Sequence, residues 1–338
     1  MKENELEKYE DRIRKEKSSR KKQDRHSRYC DFIYYPSTRN PELTLAMRVL
    51  KPEKPSYIKA GTHGWHMTIG DFKEYPEAQS AYLQIDVDMR GRSFSDGKPD
   101  CNGWELYDVI DAIEFAKKQY ADYILDPEVV FFEAGSGGGG NAYAIAGKFP
   151  DYFSHIVAQC GISDYAMWYE NDLIGEFRDE MDIWIGDFQN KEAYASRSGL
   201  TTVENLTSPI AIVHGETDVR VPSLHARRFV ARAKELGKGE LVTYMELPGV
   251  GTRDHWGNIT PEGMEKLLGF CESERQKHQT PVCIPRKGEL VVCGYVFTKE
   301  FSLVLDSIDR VAKLVYDLDE NLFRVEGMAE GDYILTRK

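Results

Sequence analysis

Val129-Val130-Phe131-Phe132-Glu133-Ala134-Gly135-Ser136-Gly137-Gly138-Gly139-Gly140-Asn141 is the stretch on which the fold turns. Its first half is a short apolar run, suited to a strand buried on both faces of a parallel sheet. Its second half is a run of glycines, and beyond it residues 141–148 read as an apolar helix that ends before Pro150. Strand, tight turn and helix follow one another, with a serine at the turn. A nucleophilic serine in such a turn has a strained backbone, and the residues two before and two after it must be small. Ala134 and Gly138 meet that need. The turn also puts Ser136 at a helix N-terminus, where the Gly137 N–H faces a developing oxyanion. A phosphate-binding loop is the alternative, but no Lys-Ser/Thr follows the glycines as a P-loop requires. A flexible linker would not join an apolar strand to an apolar helix.

On both sides of this turn strands alternate with helices. Asp31–Tyr35, Leu43–Val49, Ser56–Gly61 and Ala81–Asp88 read as strands, and Trp104–Tyr120 as a helix with Leu106, Val109, Ile110, Ile113 and Phe115 at helical spacing. Downstream, the strands His155–Cys160, Ile210–His214 and Leu241–Glu246 alternate with the helices Ser223–Leu236 and Pro261–Glu274. The pattern predicts an α/β fold with a mostly parallel, doubly wound sheet covered on both faces. No helix separates the first two strands, so that edge is expected to be antiparallel. Residues 163–200 interrupt the rhythm with Tyr165, Trp168, Tyr169, Trp184, Phe188 and Tyr194, and are expected to form a cap-like insertion above the strand ends. Past residue 281 only short strands remain: Glu289–Val296, Phe301–Leu305, Ala312–Tyr316, Leu322–Val325 and Tyr333–Thr336. They predict a small all-β appendage over 281–338, packed on the main domain or on another subunit. The main domain is then 29–280, preceded by a charged segment over 1–28.

A serine nucleophile needs a general base, and the base needs an orienting carboxylate. In this type of fold the order along the chain is Ser, then Asp or Glu, then His. The carboxylate candidate is Asp218, in the loop after Ile210–His214, with Glu216 as its competitor. The base candidate is His255, in the loop after the last core strand. His225 reads as a surface residue of an amphipathic helix, and His278 as exposed in a charged connector. The turn Gly61-Thr62-His63-Gly64-Trp65-His66 faces the serine turn and offers the Trp65 N–H as a second oxyanion donor. His63 reads as structural, and His66 stands evenly between structure and the pocket mouth. Arg90 reads as a brace between loops. The pocket candidates are His66, Tyr165, Trp168, Trp184 and Trp256. Trp65, Trp168, Trp184 and Trp256 would suit stacking on sugar, although core packing explains single tryptophans equally well.

Composition narrows the function. The chain has 338 residues, 41 % of them hydrophobic, enough for a sizeable core. Its net charge of -12 argues against nucleic-acid and anionic-membrane partners. Neither a secretory signal nor an apolar stretch of membrane-spanning length is seen. Six scattered cysteines without a CxxC pair predict reduced thiols, no metal site and a cytoplasmic location, and no cofactor is expected. Residues 1–28 hold eleven Lys/Arg and seven Asp/Glu and read as a solvated or frayed helix. That segment or the β appendage would be the route to a homo-oligomer.

The chain resembles the catalytic domain of the prolyl oligopeptidase family, with its acetyl xylan esterase and cephalosporin C deacetylase relatives. The resemblance rests on His63-Gly64, Asp88-Met89-Arg90-Gly91, Gly135-Ser136-Gly137-Gly138-Gly139, Val203-Glu204-Asn205-Leu206 with Ser208-Pro209, and His214-Gly215-Glu216-Thr217-Asp218-Val219-Arg220-Val221-Pro222. It covers roughly residues 50–275 and implies the α/β-hydrolase fold with a serine triad. Family peptidases usually carry a large β-propeller before the catalytic domain, and those that trim dipeptides hold the substrate amine with acidic residues from it. The strand beginning at Ser56 comes too early for one, so the expected substrate is a small carboxylic ester, an acylated carbohydrate among the candidates. A small-peptide hydrolase, and a non-catalytic binding or assembly protein on the same fold, are the alternatives. The β appendage lies outside the family pattern, and the loop from Pro248 to His255 is longer than usual.

Overall fold

Alternation along the strands determines how the sheet is covered. A computed structural model of the chain describes residues 22–172, 175 and 177–338. Among these, nine strands form one sheet: β1 (Arg25–His26), β2 (Cys30–Pro36), β3 (Thr44–Leu50), β4 (Ile58–Gly61), β5 (Leu83–Asp88), β6 (Val130–Gly135), β7 (His155–Gln159), β8 (Ile210–Gly215) and β9 (Val242–Leu247). Their spatial order is β1-β2-β3-β5-β4-β6-β7-β8-β9. Pairing is antiparallel from β1 to β5 and parallel from there to β9. The helices are α1 (Glu105–Gln119), α2 (Gly137–Lys148), α3 (Tyr165–Asn171), α4 (Arg178–Trp184), α5 (Lys191–Arg197), α6 (Leu224–Glu235) and α7 (Pro261–Gln276). Ile156 and Ala158 of β7 join the large core under α1, α2 and α6, whereas Val157 between them joins Leu267 and Cys271 of α7 on the opposite face. The period of two in the strand thus feeds two cores, as the unbroken apolar run requires. Each fully buried Ile or Val contributes about 1.5–3 kcal/mol.

The glycines after Ser136 are helical, so α2 starts at Gly137 rather than Asn141. Glycine is a poor helix former, but close packing overrides propensity here. A Cβ on Gly139 would lie 2.5 Å from the Gln159 carbonyl oxygen. The glycines let α2 press its first turn onto β7 and the neighbouring loops.

Of the charged segment, residues 1–21 lie outside the described residues. The remainder does not form the expected helix: Arg25 and His26 pair with Phe32 and Asp31 as an edge strand. Arg25 donates to Asp71 at 2.6 Å and lies over the Phe32 ring, so its charge does not oppose docking. Edge strands commonly carry such charges.

The appendage is a six-stranded antiparallel sheet of β10 (Lys287–Cys293), β11 (Tyr295–Phe297), β12 (Phe301–Leu305), β13 (Val311–Asp317), β14 (Leu322–Glu326) and β15 (Tyr333–Arg337), in the order β14-β13-β10-β11-β12-β15. The stretch expected as one strand over Glu289–Val296 is broken at Gly294, whose φ of +73° turns the chain. Tyr295 and Phe297 reach into the main core, and Tyr295 stacks on Trp104 at 4.7 Å. Buried Lys148 donates to the Cys293 carbonyl. Arg197 donates to the Ile308 carbonyl at 2.5 Å and to Asp309 at 2.7 Å. A core of this size is marginal alone, and the main domain supplies the rest.

Arg90 is the brace that the sequence suggested, with Nε and Nη2 on the two Asp108 oxygens at 2.6 and 2.7 Å. His225 is a correction. It is fully buried rather than on the surface, and its Nδ1 accepts the Ser163 N–H at 3.3 Å. His278 is half-buried and stacks on His155 at 5.2 Å.

Burial pushes the imidazoles of both His155 and His225 down to about 3. Both are therefore neutral in the folded chain, while the unfolded chain binds protons below about pH 6.5. Stability contributed by the neutral rings is present above that pH and is lost as pH falls from 6.5 toward 3. From pH 6 to pH 5 the loss is expected to be about 1 kcal/mol per histidine. Urea midpoints at the two pH values measure it. A His155→Gln/His225→Gln double variant should flatten the dependence, and an unchanged acid loss in that variant would refute the assignment.

Candidate active site

β6 ends at Gly135, and the next residue adopts φ 59° and ψ -121°, a conformation that L side chains rarely take. Such a residue costs on the order of 1–3 kcal/mol and persists only where its surroundings impose it. The Ser136 N–H donates to the Gln159 carbonyl at 2.9 Å, and its carbonyl accepts the Gly140 N–H at 3.1 Å. Held this way, the side chain points out of the turn, with Oγ 2.8 Å from His255 Nε2.

His255 is carried by the loop after β9, which folds on itself through Gly251 N–H to Gly257 carbonyl at 2.7 Å and Thr252 N–H to Asp254 carbonyl at 2.9 Å. The loop presses on the end of β8, where a Cβ on Gly215 would lie 2.6 Å from the Val250 oxygen. Its length therefore leaves the imidazole fixed. His255 Nδ1 is 2.6 Å from Asp218 Oδ2. Asp218 is buried, and its Oδ1 accepts the Arg220 and Val221 N–H groups at 2.9 and 3.0 Å. The competitor Glu216 is exposed and accepts the Gly249 N–H at 2.9 Å. Ser136, His255 and Asp218 thus form a continuous hydrogen-bonded relay.

The turn after β4 lies against the first turn of α2. A Cβ on Gly137 would be 2.6 Å from the Trp65 nitrogen, so only glycine allows the two backbones to meet. No backbone hydrogen bond among the described residues uses the Trp65 N–H, and the Gly137 N–H is one of the orphan donors of a helix start. Two N–H groups next to one serine oxygen are what a tetrahedral oxyanion requires. His63 is structural: its Nε2 accepts the Met89 N–H at 3.1 Å, so Nδ1 carries the proton toward the Gly64 carbonyl at 2.9 Å. Burial pushes its pKa down.

Helices α3 to α5 build the insertion. Their aromatic core holds Tyr165, Trp168, Phe177 and Tyr194 and encloses the Trp65 ring, which meets Trp168 at 4.9 Å and Trp184 at 5.3 Å. Trp168 donates to the Arg220 carbonyl at 3.0 Å, tying the insertion to the Asp218 loop. A narrow cleft beside Gly137 is lined by Trp65, Tyr165, Trp184, Arg92, Cys101 and Glu105. The Arg92 guanidinium lies over the Trp184 ring at 5.0 Å. Burial, with Asp100 adding to it, pushes the Glu105 carboxyl up to about 7. Of the pocket candidates, Tyr165 and Trp184 line this cleft. His66 lies beside it, with Nε2 2.8 Å from both oxygens of Glu180. Trp168 is buried within the insertion rather than open to a ligand. Trp256 packs with Met245, Ile259 and Phe270 on the α7 side, away from the other tryptophans. The four tryptophans therefore form no common sugar platform.

Glu180 is the residue that the sequence reading missed. It has no solvent exposure, and it accepts the Trp65 indole N–H as well as facing His66. Its position in an acidic tract, Asp179-Glu180-Met181-Asp182, gave no sign of this.

Cys160, His214 and Asp218 have ligand atoms within 4.8 Å of one another beneath the relay. Each is otherwise engaged. His214 Nε2 donates to the Val221 carbonyl at 2.8 Å, Asp218 faces His255, and burial pushes the Cys160 thiol well up, favouring the neutral form. Among the described residues no helix is long and apolar enough to cross a membrane.

Residues 79–271 match the profile described as the prolyl oligopeptidase family. An uncharacterized peptidase of Bacillus subtilis, YuxL, is 29 % identical over 184 residues, covering 52 % of this chain and 28 % of that protein. Esterase LipQ of Mycobacterium tuberculosis is 27 % identical over 156 residues, covering 42 % of this chain and 37 % of that protein. The match to these curated relatives thus spans well under half of their own length. Among solved structures, the acylaminoacyl peptidase of Pyrococcus horikoshii superposes with a TM-score of 0.62 at 19 % identity, covering 78 % of this chain and 42 % of that one. An esterase of Pyrococcus furiosus superposes with a TM-score of 0.53 at 12 % identity, covering 74 % of this chain and 91 % of that one. These likenesses give the α/β-hydrolase fold.

Proposed function

The chain belongs to the prolyl oligopeptidase family, and from that premise we propose that it is a serine hydrolase cleaving small carboxylic esters through an acyl-enzyme. The observation that carries the proposal is the relay of 2.8 Å from Ser136 Oγ to His255 and 2.6 Å from His255 to Asp218, set on a serine with φ 59°. His255 Nε2 takes the Ser136 proton as Oγ bonds to the ester carbonyl carbon. The Trp65 and Gly137 N–H groups receive the oxyanion. His255 then returns the proton to the departing alkoxide, releasing the alcohol. Water, deprotonated by the same imidazole, attacks the acyl-enzyme and frees the acid and Ser136.

The narrow cleft beside Gly137, closed by Trp184 and Tyr165, supports a small acyl group. An esterase among the curated relatives points the same way. The peptidase names among the relatives favour a second reading, hydrolysis of a small peptide by the same steps. With p-nitrophenyl acetate and aminoacyl-p-nitroanilides side by side, kcat/KM is expected to be at least about 100-fold higher on the acetate, a gap of roughly 2.7 kcal/mol in transition-state stabilisation. A higher value on the anilides would establish the peptidase reading. No turnover of either, with no labelling of Ser136 by a fluorophosphonate, would leave a non-catalytic protein on a hydrolase fold.

A further inference from the structure

Glu180 is a carboxylate placed without solvent contact in an aromatic cluster, and burying such a group is costly unless something is gained from its partners. Its partners are two consecutive residues of one turn. The Trp65 indole N–H donates to Oε2, and His66 Nε2 sits 2.8 Å from both oxygens. That turn is the one whose backbone abuts Gly137, with the Trp65 nitrogen 2.6 Å from where a Gly137 Cβ would stand. The Trp65 residue therefore has two ends. Its ring N–H is held by α4 of the insertion, and its backbone N–H stands beside the serine turn. Phe177 completes the clamp, stacking on His66 at 5.6 Å and on Trp168 at 4.3 Å. Among the described residues the turn's backbone makes one further backbone–backbone bond, Met67 N–H to Gly64 carbonyl at 3.0 Å, and the same carbonyl accepts His63 Nδ1 at 2.9 Å.

We propose that Glu180 is a positioning residue, which fixes the oxyanion-donating turn by accepting the Trp65 indole N–H, and so makes the reactivity of Ser136 depend on the seating of the insertion. The inference rests on the hydrolase reading above, since it assigns the Trp65 backbone N–H to the oxyanion. An oxyanion donor displaced by a fraction of an ångström loses part of its effect on the transition state and little of its effect on substrate binding. Glu180 has no access to the reacting atoms and acts only through Trp65.

The test is kcat per active site, counted by fluorophosphonate titration, with p-nitrophenyl acetate as substrate. Glu180→Ala, and Trp65→Phe (which keeps an aromatic side chain and the backbone N–H but removes the indole N–H), are each expected to lower kcat by about 10- to 100-fold with KM within about threefold. Binding of a trifluoromethyl ketone, whose serine adduct carries an oxyanion, should weaken by the same factor. Glu180→Gln, which still offers an oxygen to the indole, should stay within about fivefold of wild type. The Glu180→Ala/Trp65→Phe double variant should lose no more than Glu180→Ala alone, because Glu180→Ala has already removed the hydrogen bond that Trp65→Phe removes. Wild-type kcat per titrated site in the two single variants would overturn the proposal, as would losses that multiply in the double variant. A lower melting temperature or a smaller titratable fraction at unchanged kcat marks a purely structural role and also overturns it. Wild-type protein that neither turns over nor labels would remove the hydrolase reading itself, and this inference with it.

Discussion

Ser136→Ala is expected to lower kcat on p-nitrophenyl acetate by about 10⁶-fold and to leave the melting temperature close to that of the wild type. The chemical loss is large because Oγ is the atom that bonds to the substrate carbon. The stability change is small for a reason that the backbone supplies. The strain at φ 59° comes from the Cβ, which alanine retains. The turn is held by the Ser136 N–H to Gln159 and the Gly140 N–H to the Ser136 carbonyl, neither of which involves the hydroxyl. What disappears is the 2.8 Å contact to His255, a part-buried group that retains Asp218 as its partner. Residual activity above the water rate is expected from the Trp65 and Gly137 N–H groups, which still polarise a bound carbonyl. Stopped assays at high enzyme concentration measure the ratio. A variant that keeps more than about 1 % of wild-type kcat would show that another residue is the nucleophile.

The parts of this site that were legible in the sequence are those that local geometry imposes. A serine in a strand-to-helix turn needs small neighbours, and Ala134, Gly135, Gly137 and Gly138 are small for that reason. Asp218 was legible because its carboxylate binds the N–H groups of Arg220 and Val221, two and three residues ahead, which gives the loop a compact local form. His255 followed from chain order and from elimination of His225 and His278, since nothing else within its loop marks a histidine as the base. Contacts made across the fold were not legible. Glu180 lies 115 positions from Trp65, and only the folded insertion brings the two together. The misplacement of His225 has a different origin. His225, Phe229 and Ala233 form one buried stripe of α6 at i, i+4 and i+8, and this spacing was present in the sequence. The helix was read as amphipathic, but His225 was assigned to its solvent side instead. The edge strand at Arg25 was hidden because charge was taken as evidence against pairing although an edge tolerates it.

Asp218→Asn should lower kcat by about 10⁴-fold, and the hydrogen bonds around the carboxylate explain why so small a change has this effect. The Arg220 and Val221 N–H groups both donate to Oδ1 at 2.9 and 3.0 Å. An asparagine at this buried position must keep its oxygen on those two donors, since turning the NH₂ toward them would leave three donors facing one another. The NH₂ then takes the place of Oδ2, which is 2.6 Å from His255 Nδ1. Nδ1 must accept that N–H, so the ring proton moves to Nε2. Nε2 faces Ser136 Oγ at 2.8 Å, and with a proton already on it the imidazole cannot take one from the serine. The loss is thus one of tautomer, with geometry and KM nearly preserved. Glu216→Gln is the matched control. Glu216 is exposed, and among the described residues its carboxylate holds only the Gly249 N–H, which a glutamine oxygen still accepts, so kcat should remain within about twofold. The pair separates the two carboxylates of the same loop by roughly four orders of magnitude in one assay. If the large loss appeared at Glu216 instead, the orienting role would belong there, and the buried Asp218 would be left as a loop brace.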